Sequence, residues 1–511
     1  MNDLTPEQQR TFGVPPTQAP AEAMPGREPR DPGSRGASKF AWVAFVVLLL
    51  AVVASNQLGG RPSMKPTPAG QGAAAAPVAD QTDPFAINAK FVTKLYYTFK
   101  QDMQASPGDL EMLSQSVRQA TKTDADQVRA AMVLSNLKDD AAALELLKQA
   151  KFDPKQEYAA DAALVEKSLE HAIDPASDQG AALTSGERDD LSKRYGWFGD
   201  VFLTRDLAWN SPERQRLVGG GGRMLLGITL GGIALLVAVV GGIAAFVTML
   251  ARMSSGRIRR RFEPPTPGGS VFIETAAVFV GAYLLFHLAI GAVAAIYTAK
   301  YHSPPEWLET AALGGQWILV VVPFWPLLRG MKFGEWRRAI GWHTGRGFWN
   351  EVGAGIFGYF ASLPILFFAL LLTLALVFLQ GVIEQTIFHK QPEPPGNPIA
   401  ELVTSGSGVQ LVLIYVLATL WAPLVEESIF RGALFRQMRG RMHFVLAAAL
   451  SGLCFGVMHG YAGFLLIPVI TIGFCFALIR EWRGSLIPTA TAHFLHNATL
   501  LGIVLLVMGS L

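Results

Sequence analysis

Charge is scarce in this chain of 511 residues. Asp, Glu, Lys and Arg make up 16% of it, against about a quarter in an ordinary soluble protein. Half of the residues are hydrophobic, and mean hydropathy is positive. A wholly soluble fold does not tolerate that balance. The net charge of +3 is too small to point to nucleic acid, and the Lys and Arg excess is better read as a topology signal. Cysteine is nearly absent: Cys454 and Cys475 both lie inside apolar runs. A disulfide framework and a Cys-based metal cluster are therefore excluded, and both thiols read as small core residues.

Composition changes along the chain. Residues 1–39 are rich in Pro, Gly, Ala, Arg and Glu without apolar periodicity, the pattern of a disordered tail. Residues 40–58 form a membrane anchor built on the run Phe40 to Ala54. That run is short for a span, so a cleaved signal core is the rival reading, and the long tail before it favours an anchor. A flexible linker is expected at 59–84. Residues 85–217 read as a soluble helical domain with no repeat period. Val165, Leu169, Ala172 and Ile173 share one helix face, and Val128 to Ala150 reads as a helix pair broken near Asp139 and Asp140. Nothing in this domain carries chemistry, and an interaction or packing role with a protein partner is expected.

The remainder, 224–511, is dominated by long apolar runs. Spans are expected at 224–250, 270–298, 312–328, 352–380, 409–430, 444–459, 462–479 and 485–508, each near the ~20 residues needed to cross a bilayer. Only helices satisfy their backbone there. The expected fold class is thus all-α, a polytopic transmembrane bundle of about eight core helices with an N-terminal anchor helix and a small helical extramembrane domain. Basic residues cluster in alternate loops: Arg252 to Arg261, Arg329 to Arg346, Arg436 to Arg441, and Arg480 with Arg483. The intervening loops hold Glu306 and Glu309, or the Pro-rich stretch Pro392 to Pro398. The positive-inside rule puts the basic loops in the cytoplasm and 85–217 outside it. Trp336 to Trp349, mixing Trp with Arg, is expected at the membrane interface.

Ionisable groups inside the late spans are the informative feature. The stretch W-A-P-L-V-E-E-S-I-F-R-G places Glu426, Glu427 and Arg431 at the end of one apolar helix. Intramembrane charges are costly and mark function by default. Glu427 and Arg431 stand at i, i+4 and can form a structural pair, which leaves Glu426 without a local partner. His459 ends F-G-V-M-H, and His493 and Asn497 stand at i, i+4 in A-H-F-L-H-N. Singly, each reads as a satisfied core residue. Together with Glu426 they argue for one shared cavity. His496 lies near the same helix face, and His287, with no motif about it, reads as structural.

The pattern E-E-x-x-x-R (Glu426, Glu427, Arg431), F-x-x-x-H (Phe455, His459) and H-x-x-x-N (His493, Asn497) resembles the three-motif signature of the CPBP intramembrane peptidases, the type II CAAX prenyl endopeptidase and bacteriocin-processing or "Abi" family. Pro423 and the triplet Phe430-Arg431-Gly432 fit as well. The resemblance spans about 410–508 and implies an endopeptidase acting on a protein or peptide substrate near the bilayer, in a bacterial plasma membrane. Eukaryotic members cut the C-terminal tripeptide from prenylated CAAX proteins. Prokaryotic members are linked to bacteriocin maturation or immunity and to secretion.

The resemblance assigns Glu426 as the base that activates water and His459 as the group that orients it. His493 and Asn497 would donate to the oxyanion, and Arg431 would hold Glu427. A metalloprotease version uses Glu426, His459 and His493 as a zinc shell, although the H-E-x-x-H helix typical of zinc peptidases is missing. No other cofactor is implied. A non-catalytic scaffold or immunity protein with the same fold is the alternative, and a transporter lacks the internal repeat expected of it.

Helical rise offers a depth check at ~1.5 Å per residue. Glu426 lies about 15 Å from Arg436, and His493 about 15 Å from Arg483. His459 lies nominally about 27 Å beyond Arg441, deeper than the other two. The topology gives a direct test. Ala150→Cys should react with an impermeant thiol reagent on intact cells, and Ser254→Cys should not; the reverse labelling would invert the bundle.

Overall fold

A computed structural model describes residues 28–58, 84–102, 107–121, 123–152, 157–175, 182–305, 307–389, 408–461 and 463–508. The expected tail before residue 28, most of the linker at 59–84 and the Pro-rich loop at 392–398 lie outside them. Among the described residues every named element is helical, and the one extended pairing is an isolated bridge between Glu28 and Pro265. Helix α1 (Arg35–Leu58) begins before the expected anchor. Residues 28–34 are also ordered, because Asp31 is buried against Arg436.

The chain divides into two compact units. One holds the helices α2 (Pro84–Asp102), α3 (Pro107–Gln119), α4 (Asp124–Asn136), α5 (Asp140–Gln149), α6 (Glu157–Ile173), α7 (Ser185–Tyr195), α8 (Trp197–Leu203) and α9 (Pro212–Val218). Thr123 and Thr184 start α4 and α7 with capping boxes, and Asp139 caps α5 at the expected break. Each cap satisfies amide groups that the first turn leaves open. Val165 and Leu169 enter the core, whereas Ile173 is 50% exposed and Ala172 also faces out. The expected apolar face therefore stops a turn early. Arg214, invisible to periodicity, is buried and donates to Tyr97, Asn136, Val201 O and Thr204.

The second unit contains α1 and the membrane helices from Ala234 onward as far as Gly502. After α10 (Gly221–Ser254) come α11 (Val271–Tyr301), α12 (Trp307–Leu328), the short α13 (Phe333–Ile340), α14 (Phe348–Thr386) and α15 (Gly408–Arg439). Then follow α16 (Phe444–Met458), α17 (Gly463–Arg483) and α18 (Ile487–Met508). Seven helices among the described residues are long and apolar enough to cross a membrane; α16, fifteen residues long, and α18 complete the expected set. Because α16 starts at Phe444, capped by His443, part of the apparent excess depth of His459 belongs to the turn before the helix.

Burial is highest in α15. Its apolar window is 44% buried, with α17 next at 39%, against 11% for α10 and α11, so α15 and α17 run through the bundle while α10 and α11 face outward. Helix α15 is also irregular. The segments Leu417–Trp421 and Glu427–Leu434 are π-helical, with Ala422 N–H bonding Leu417 O and Phe435 N–H bonding Phe430 O. Pro423 has no N–H to sustain an α ladder, and the ladder slips immediately before it. Such slips recur at functional sites.

Three of the arginines expected to mark loops are held in ion pairs, while those from Arg252 to Arg261 and from Arg329 to Arg346 are exposed. Arg436 pairs with Asp31 and Glu28, Arg439 with Glu481 at 2.8 Å, and Arg483 with Glu351 at 2.5 Å. They occupy the last turns of α15 and α17, where the helix dipole favours cations. Trp336, expected at the interface, is buried and donates to Pro323 O at 2.8 Å, while Trp349 is exposed.

Helices α16 and α17 meet backbone to backbone. A Cβ on Gly452 would lie 2.7 Å from Ile470 O and Phe474 N, and one on Gly473 would lie 2.9 Å from Gly452 Cα. Small residues permit that approach in a membrane bundle. Gly452→Ala should therefore cost about 1–3 kcal/mol by overpacking, read as a lower thermal midpoint in detergent. Gly291→Ala in α11, with nothing within 4 Å, should leave the midpoint unchanged or raise it.

Candidate active site

Three helices bring the motif residues together. Glu426 and Glu427 lie at the junction of the α and π segments of α15, His459 just past the end of α16, and His493 on α18. Glu427 and Arg431 are each 0% exposed. Arg431 donates Nη1 to Glu427 Oε1 at 2.8 Å and Nη2 to Gly473 O at 3.1 Å. Its guanidinium lies over Phe455, 4.3 Å from the ring centre, and 5.3 Å from that of Phe476. Glu427 is thus held by a cation that is itself held by aromatic faces and a backbone carbonyl.

His493 Nδ1 lies 2.9 Å from the same Glu427 oxygen. A carboxylate only accepts, so Nδ1 carries the hydrogen and Nε2 points away from Glu427. His459 Nδ1 lies 2.7 Å from Phe455 O, which fixes its tautomer in the same way. Both Nε2 atoms then face one carboxylate oxygen, Glu426 Oε2, at 4.0 Å from His459 and 3.9 Å from His493. That oxygen is buried with no hydrogen-bond partner. Each separation is too long for a direct bond and suits a bridging water.

Asn497, one turn after His493, donates Nδ2 to Ala418 O at 2.7 Å. The π slip makes this bond available, because Ala422 N–H goes to Leu417 and leaves Ala418 O without its α partner. His496 packs instead against Tyr359, ring centres 6.0 Å apart, and His287 lies against Tyr283. Sequence reasoning missed Ala418, Gly473 and Ser428, whose Oγ accepts from Trp342 Nε1 at 2.8 Å. Two of the three act through backbone carbonyls, which no side-chain pattern reveals.

Glu426, His459 and His493 are suitable donor types for zinc. Their O···N separations of 3.9–4.0 Å exceed the roughly 3.4 Å edge of a tetrahedron with bonds near 2.1 Å. Among the described residues no group of His, Cys, Asp and Glu is placed to hold a metal ion. The residues as arranged do not fit a zinc shell.

A buried carboxylate thus faces two imidazoles inside an all-helical bundle of apolar helices. Residues 408–499 match the family described as Type II CAAX prenyl endopeptidase Rce1-like. The C-terminal segment is thus similar to Rce1-like domains, consistent with the CPBP family, and the likeness supports a CAAX protease-type enzyme in a membrane. The matched segment covers α15 to α18 and leaves the other helices outside it. Neither the curated proteins nor the solved structures yield a match.

Removing Arg431 would leave Glu427 in the core without its guanidinium partner. Arg431→Met should cost about 3–5 kcal/mol, seen as loss of monodisperse protein on size exclusion. Arg431→Lys should recover only part of it, since a point charge cannot reproduce the fork between Glu427 and Gly473.

Proposed function

We propose that the chain is an intramembrane endopeptidase that hydrolyses a peptide bond presented at the membrane, with Glu426 as general base. The observation that carries this reading is the unpaired Glu426 Oε2 facing two imidazole Nε2 atoms at 3.9–4.0 Å.

A water between these groups donates one hydrogen to Glu426 Oε2 and the other to His459 Nε2, leaving a lone pair for attack. Glu426 takes the first proton as the oxygen adds to the carbonyl carbon. The second Nδ2 hydrogen of Asn497 and the Nε2–H of His493 in its imidazolium form receive the oxyanion. Glu427 orients His493 much as the acid of a catalytic triad orients its histidine. When the tetrahedral intermediate collapses, Glu426 returns its proton to the leaving amine.

The reading extends to placement. The proposed setting is a bacterial plasma membrane, with 1–39 as a tail, 40–58 as an anchor and 59–84 as a linker. The 85–217 domain lies outside the cytoplasm, docking a protein partner, and 224–511 is the peptidase unit.

The test compares protein termini in membranes of cells carrying wild type and Glu426→Gln at equal abundance. Termini present only with the wild type are expected; equal cleavage by the Gln variant would remove Glu426 as base. On a substrate so identified, Asn497→Ala should lower kcat by roughly 10²–10³, with a smaller effect on binding. His496→Ala, facing Tyr359, should cost less than about tenfold. A larger loss from His496→Ala would reassign the third motif.

A further inference from the structure

A second polar site lies away from the catalytic cluster, where α14 begins and α15 and α17 end. There a cavity of about 230 Å³ has six arginines and three glutamates among its lining residues. Two of the arginines are already neutralised. Arg436 bonds Glu28 and Asp31, and Arg483 takes Glu351 through two hydrogen bonds. Arg261, Arg338 and Arg346 remain as exposed cations, with Glu263 the one lining carboxylate not so engaged.

The sixth, Arg480, is 1% exposed. It donates to three backbone carbonyls, Arg431 O at 3.4 Å, Ile340 O at 3.1 Å and Ala339 O at 3.5 Å. Among the described residues no carboxylate forms an ion pair with it, and its Nη1 has no hydrogen-bond partner. Glu28 and Glu481 act on it only at a distance, and a buried guanidinium with no carboxylate in contact is among the costliest features a core can hold. The fold nonetheless makes room for it. Gly341 adopts φ +112°, and a Cβ there would sit 2.6 Å from the Arg480 guanidinium. His343 adds no charge at the wall, because burial, and then Arg480, hold its imidazole below the usual range.

We propose that this cavity binds a phosphate-class oxyanion on Arg480, with Arg338 and Arg346 closing on it from the outside. An arginine fork matches phosphate oxygens in pairs, and the anion would supply the direct partner that Arg480 Nη1 lacks. The cavity lies at the ends of membrane helices, the level of lipid headgroups, so an anionic phospholipid and free phosphate are the two sources. None of Glu426, Glu427, Arg431, His459, His493 or Asn497 lines it, and the proposal stands apart from the peptidase reading.

The test measures thermal unfolding of the full chain in neutral detergent at constant ionic strength. It is titrated with sodium phosphate against sodium chloride, and with short-chain phosphatidylglycerol against phosphatidylcholine of equal chain length. A saturable rise in midpoint with phosphate over chloride is expected. If phosphatidylglycerol acts at roughly tenfold lower concentration than phosphate, and phosphate competes with it, the source is the lipid headgroup. If it acts no better than phosphatidylcholine while phosphate still saturates, the source is the free ion. The double variant Arg338→Gln with Arg346→Gln, altering exposed side chains, should weaken binding by roughly tenfold, and Arg480→Gln should abolish it. Should Arg480→Gln fail to fold, the double variant decides. Absence of a saturable shift with either probe, or an unchanged shift in the double variant, would overturn the site.

Discussion

One carboxylate oxygen organises this molecule's chemistry. Glu427 Oε1 accepts from Arg431 at 2.8 Å and lies 2.9 Å from His493 Nδ1, and all three residues are buried. Charges in a membrane interior persist only when they are paired and hydrogen-bonded. The helix carrying Glu427 and Arg431 is thereby bound to the helix carrying His493. Glu426, next in the chain, is then aimed at the two imidazoles with an oxygen left unpaired. The stability of the pair and the reactivity of its neighbour are aspects of one arrangement.

Around that centre the fold removes regularity wherever a polar contact needs it. The π slip before Pro423 releases the Ala418 carbonyl for Asn497. The second slip releases the Arg431 carbonyl, which Arg480 approaches, and Phe430 O also accepts from Ser451 at 3.0 Å. Gly452 and Gly473 let α16 and α17 close to backbone contact, which positions the Gly473 carbonyl to hold Arg431. Side-chain motifs alone would not assemble the cluster without these backbone adjustments.

Much of this was legible in the sequence. Each expected span corresponds to a helix, because twenty-residue apolar runs have few other solutions in lipid. The motifs included His459 and His493, which face Glu426, while Asn497 bonds Ala418 O and His496 packs against Tyr359. What escaped was long-range or carried by the backbone. Asp31 could not be matched to Arg436 across most of the chain, and a tail rich in Pro and Gly concealed its ordered end. The basic clusters were read as topology alone, although several of their members are buried in ion pairs. Ile173 fits a helix period but lies beyond the point where its core ends. Zinc is admissible from residue types, whereas the 3.9–4.0 Å separations are wider than a closed tetrahedral shell.

The π segments also make this site sensitive to counting. A π turn is an α-helix with one residue inserted, so losing any single residue between Leu417 and Trp421 would let the ladder close as α. The wider turn absorbs its extra residue locally, so the helix beyond would keep nearly the same facing. Such a chain would keep every motif letter and every apolar run, and Glu426 would still face His459 and His493, but the carbonyl now bonded by Asn497 would return to its own helix. A homologue with all the signature residues but one residue fewer ahead of Pro423 would therefore be a bundle of the same shape with the link between Asn497 and that helix undone.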